Sequence, residues 1–93
     1  MPADHNDAEV EWAELEEAVG RRDWVTALEL SLNLEREWKT VRGFVEIFAG
    51  PGGERWGRLI DKAIAGLLEA LGNLPVDPAA VDAAMSRFRM FMR

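Results

Sequence analysis

Ala27-Leu28-Glu29-Leu30-Ser31-Leu32-Asn33-Leu34-Glu35 is the stretch that decides the fold. Its four leucines alternate with other residues, which is the spacing of a half-buried strand. The residues around them argue otherwise. Ala27, Glu29, Glu35, Arg36, Glu37 and Lys39 all favour helix, and no turn dipeptide stands nearby to close a hairpin. Over a longer window Trp24, Leu28, Ser31, Leu34, Trp38, Val41, Val45 and Phe48 recur at intervals of three and four, the period of one helical face. The segment therefore reads as a helix over 24–49. Its additional leucines widen the apolar face, so it is central in a bundle or covered on two sides. Gly43 is a point where it can bend or break.

Three more helices follow from the same period. Ala8, Trp12, Leu15 and Val19 mark a helix over 7–19, with Asn6 or Asp7 as its cap and Gly20 as its stop. Asp23 caps the second helix. Trp56, Leu59, Ile60, Ala63, Ile64, Leu67, Leu68 and Leu71 form a broad stripe over 54–71, closed by Gly72 and Pro75. Asp77-Pro78 opens a fourth helix over 78–92, with Asp as N-cap and Pro in the first turn. The expected fold is all-α, a small antiparallel four-helix bundle joined by short connections. Residues 1–6 read as a flexible acidic tail and 7–93 as a single helical domain.

The chain of 93 residues is long enough for one domain. It has no cysteine, which excludes disulfides, thiolate zinc sites and cysteine nucleophiles. The only histidine is His5, near a terminus where side chains are poorly positioned for acid–base work. The carboxylates lack a Glu-x-x-His spacing. Pairs such as Glu14 and Glu17, or Glu35 and Glu46, read as solvated faces rather than as ligands of a hard cation. The expectation is no enzyme, no cofactor and no metal. No basic and apolar leader begins the chain, and no apolar run is long enough for a transmembrane segment, so a cytoplasmic location is expected.

The net charge of -6 is uneven. Residues 1–20 hold seven acidic side chains and no Lys or Arg, whereas residues 21–93 hold ten acidic and eleven basic ones. Phosphate repels such an acidic chain, so no nucleic acid is expected as a partner.

Two local resemblances stand out. Phe44-Val45-Glu46-Ile47-Phe48-Ala49-Gly50-Pro51-Gly52-Gly53 resembles the first motif of S-adenosylmethionine-dependent methyltransferases, closest to the DNA cytosine-5 enzymes. The resemblance implies a strand running into a Gly-rich turn that approaches the cofactor. It covers about ten residues, too few follow Gly53 for a doubly wound sheet, and the cysteine nucleophile of that family is missing. The activity is therefore not carried over. Gly20-Arg21-Arg22-Asp23-Trp24-Val25-Thr26-Ala27-Leu28 resembles the turn of a tetratricopeptide repeat within residues 12–38. A single copy implies a helical hairpin and not the peptide-binding groove of a solenoid.

Two functional expectations remain. The first is a non-enzymatic protein-interaction domain that associates with itself, as a homodimer, or with another protein. It would use the apolar surface of helix two or of the C-terminal helix. Phe88, Met90, Phe91, Met92 and Arg89 are its candidate residues, because one bundle face cannot bury so many apolar groups and Met-rich surfaces suit protein contacts. The alternative is a small-ligand or anion site at Gly50, Gly52, Gly53 and Arg55, where backbone amides would precede a helix N-terminus. The tryptophans at 12, 24, 38 and 56 read as core rather than as a stacking platform.

Overall fold

A computed structural model describes residues 4–48 and 50–91. Four helices run in sequence: α1 over Asp4–Gly20, α2 over Trp24–Phe48, α3 over Pro51–Gly72 and α4 over Pro78–Arg89. Short connections make consecutive helices antiparallel. α1 packs on α2 and α4, and α3 packs on α2 and α4. The diagonal pairs do not meet among the described residues, so the order around the bundle is the order along the chain.

Local chemistry sets the joints. At the first joint Arg22 takes a positive φ of 61°, and its guanidinium lies over the Trp24 ring and 3.3 Å from Asp82 Oδ1 of α4. Asp23 caps α2. Its carboxylate accepts from the Thr26 amide at 3.2 Å and from the Thr26 hydroxyl at 2.7 Å. Asp77 caps α4 by accepting from the Ala79 amide at 3.0 Å. Both caps satisfy amides that a helix start leaves free.

The core is Trp12, Leu15, Ala18 and Val19 of α1, Ala27 of α2, Ala63, Ile64, Leu67 and Leu71 of α3, and Val81, Ala84, Met85 and Phe88 of α4. Ser31 is buried among them, and its hydroxyl donates to the Ala27 carbonyl at 2.7 Å. The alternating leucines divide as a helix requires. Leu28, Leu30 and Leu34 pack against the core, while Leu32 faces out.

Several boundaries differ from the sequence reading, the ends of α1 at Gly20 and of α3 at Gly72 by a single residue. α1 begins at Asp4, so residues 4–6 belong to it and not to a tail, and residues 1–3 lie outside the described residues. α2 runs unbroken through Gly43 to Phe48, because a single glycine lowers helix propensity by only about 1 kcal/mol and the packing on α3 outweighs it. Ala49 lies outside the described residues. α3 begins at Pro51 and not at 54. Gly50, with φ 66°, reverses the chain, Pro51 supplies a preset helical φ in the first turn, and the Gly53 amide already donates to the Gly50 carbonyl. α4 ends at Arg89 rather than 92, as the Phe91 amide turns back to the Phe88 carbonyl at 2.9 Å. Residues 44–48 are helix, so the strand implied by the methyltransferase resemblance is absent. The hairpin implied by the tetratricopeptide resemblance is present as α1 and α2.

Candidate interaction surface

The helices are unequal. α2 has 25 residues and α4 has 12, which at 1.5 Å per residue is about 38 Å against about 18 Å. α2 and α3 therefore continue as a two-helix hairpin past the part of the molecule where all four helices share a core. A polar clasp marks the passage. The Trp38 indole donates to Asp61 Oδ1 at 2.6 Å. Arg42 Nε lies 3.0 Å from Asp61 Oδ2, an ion pair without the alignment of a hydrogen bond. Arg42 Nη1 donates to Glu46 at 2.7 Å. Gly57, buried beneath the Arg42 guanidinium, lets that side chain lie across the joint.

Beyond the clasp the hairpin has two unlike sides. Arg42, Glu46, Gly50, Glu54 and Arg58 line one, with Arg42 paired to Glu46 and Arg58 to Glu54. The helical period puts Val41, Phe44 and Phe48 of α2 on the other side, with Ile47 at its margin. Gly52, Trp56 and Leu59 of α3 share that other side, and with Arg55 they line a shallow groove of about 370 Å³. The Phe44 and Phe48 rings stack, 6.2 Å apart and inclined by 5°. Phe44 is 61% exposed, Ile47 73%, Phe48 80% and Trp56 52%. This side faces the α1/α4 layer, because Trp56 meets Phe91 edge-on at 5.4 Å. The row on α2 thus begins with Leu30 and Leu34 against the core and continues, uncovered, through Val41, Phe44 and Phe48.

The C-terminal candidates fall differently from expectation. Phe88 is buried and stacks on Trp12 at 5.3 Å, so it serves the core and not a free surface. Phe91 is half-buried between Phe88 and Trp56. Arg89 spans to α1, with Nη2 2.9 Å from Glu16 Oε2. Met90 is exposed. Met92 lies outside the described residues. The short α4 explains the shift: the chain turns at its end, so Phe88 and Phe91 pack onto the bundle while Met90 is left exposed.

The glycine candidates do not converge. Gly50 opens on the Arg–Glu side, while Gly52 and Arg55 line the apolar groove on the other. Gly53 is buried and its amide is already used. Among the described residues no cluster of His, Asp or Glu is placed to hold a metal ion, and no helix is long and apolar enough to cross a membrane. Sequence reasoning named the apolar surface of helix two, whose excess width carried the signal, but not Val41–Phe48 within it, and it did not single out Trp56–Leu59 as surface. No protein-family model, curated protein or solved structure matches the chain.

Proposed function

We propose that this chain is a non-enzymatic protein-interaction domain that associates with itself through helical apolar surface, and that the surface is the projecting end of the α2–α3 hairpin. The observation that carries the reading is the uncovered row of Phe44, Ile47 and Phe48 beside Trp56. Aromatic side chains offer about 150–250 Å² each, so at these exposures the patch amounts to several hundred Å². A monomer rarely leaves more than a few hundred Å² of contiguous apolar surface in water. A standard protein interface buries about 800 Å² on each partner. The patch is therefore large enough to supply the apolar centre of such a contact.

The test is the solution mass of the wild type and of the double variant Phe44→Asp, Phe48→Asp by light scattering. The wild type associates. The variant is monomeric and keeps its far-ultraviolet helical signal, because both side chains point away from the core. A wild type that stays monomeric at about 100 μM, well above a micromolar dissociation constant, overturns the reading.

A further inference from the structure

We infer that Phe91 is an autoinhibitory latch: in the single chain it covers part of Trp56, and it leaves that place when the hairpin end takes a second copy. The inference rests on the self-association proposed above and adds its control. Three observations carry it.

The first is position. Trp56 belongs to the exposed apolar side of the hairpin end, yet it is the least exposed of Phe44, Ile47, Phe48 and Trp56. The Phe91 ring meets it edge-on, with centroids 5.4 Å apart and planes inclined by 78°. Phe91 therefore fills the step between the projecting hairpin and the α1/α4 layer, where the apolar side would otherwise continue inward. A second chain cannot take the part of Trp56 that Phe91 holds.

The second is the tether. α4 ends at Arg89, whose guanidinium is fastened to Glu16 of α1. Beyond that anchor Met90 is exposed, and the turn is closed by the Phe91 amide donating to the Phe88 carbonyl at 2.9 Å. The Phe91 ring itself rests on two other rings, Phe88 at 6.3 Å and Trp56 at 5.4 Å. Phe88 is held separately, buried and stacked on Trp12. Rotation after Arg89 thus frees Phe91 and leaves the core and the Arg89–Glu16 pair where they are.

The third is magnitude. An edge-on aromatic pair favours contact by roughly two- to twelvefold beyond the effect of the area it covers. That preference keeps the latch mostly shut in the single chain and is small enough for a partner to reverse. A competent state that is only partly populated raises the apparent dissociation constant by the inverse of its population. The latch therefore weakens association by at least about threefold, the half-buried area of Phe91 adding to the ring contact.

Phe91→Ala removes the latch. Its dissociation constant in sedimentation equilibrium should be at least about threefold lower than that of the wild type, with the same far-ultraviolet helical signal. Phe91→Leu keeps an apolar plug without a ring and should fall between the two. It supplies the same comparison if Phe91→Ala loses helix. Trp56 reports the latch independently of mass. With 5-fluorotryptophan in place of all four tryptophans, and the Trp56 resonance assigned by its loss in Trp56→Phe, that resonance in dilute monomer should be broadened more by a soluble paramagnetic agent in Phe91→Ala than in the wild type. A dimeric wild type whose association is unchanged or weakened in both Phe91 variants overturns the latch and leaves the self-association standing. Equal broadening of Trp56 in the wild type and Phe91→Ala overturns it too, because nothing was then covered. Wild type and Phe91→Ala both monomeric at about 100 μM overturn the self-association and the latch together.

Discussion

Asp23 links a single side chain to the pH response of the fold. Two hydrogen bonds from Thr26, first from its hydroxyl and then from its amide, hold the Asp23 carboxyl below its ordinary value of 3.8. A group whose value is lower in the folded chain favours folding fully above its unfolded value, and that contribution is lost as pH falls through the folded value. The stability from this cap is therefore complete above about pH 5 and disappears below 3.8. Asparagine also caps helices but does not titrate. The unfolding midpoints of the wild type and Asp23→Asn, followed from pH 6 to pH 2, should run parallel above pH 5 and converge or cross in acid. Parallel curves throughout would show that the cap contributes no acid sensitivity. At this scale the sequence was legible: Asp23 and Asp77 were readable as caps from identity and position alone. For Phe88 and Phe91 the helical period alone allowed an inward face as well as a free surface, and the choice depends on where α4 stops and on Trp12 and Trp56, which are distant in sequence.

The element that governs the candidate surface is α2, one continuous helix with two environments. As far as Trp38 it packs against the bundle core, and beyond Trp38 its Arg42 lies across Gly57 and beside Asp61 of α3. Asp61 joins the two regimes by accepting from Trp38 and facing Arg42. Asp61→Ala leaves the indole N–H without its acceptor and Arg42 with one carboxylate instead of two. The site is partly solvated, so the expected cost is about 1 kcal/mol. It should appear as a lower urea midpoint with an unchanged slope. Asp61→Asn should recover part of it, since the amide oxygen still accepts from Trp38. An Asp61→Ala midpoint equal to the wild type would mean the clasp adds nothing. The helical period gave away α2 as an element, and its excess apolar width predicted cover on two sides. That prediction fails only beyond Trp38, where the described residues leave Phe44, Ile47 and Phe48 exposed. The start of α3 was misread for a related reason. Three glycines between 50 and 53 look like a loop by propensity, but Pro51 in the first turn and the buried Gly53, whose amide donates to the Gly50 carbonyl, select helix.

For the whole molecule, the hydrophobic cluster ends where Trp38 meets Asp61, while two helices go on. Free energy of opening is not uniform in such a structure, because regions with few buried apolar contacts open locally and cooperatively assembled cores open only with the whole fold. Backbone amides of residues 39–48 and 52–58 should therefore exchange with deuterated solvent before those around Leu15, Leu67 and Val81, three residues with essentially no solvent exposure. A partner seated on the hairpin end would slow that early exchange in proportion to its occupancy. Protection that rises with protein concentration over residues 41–59 alone would mark self-association, and protection independent of concentration would mark a surface that remains open. The overhang thus gives the molecule a built-in clock, whose rate at one end reports how often that end is covered.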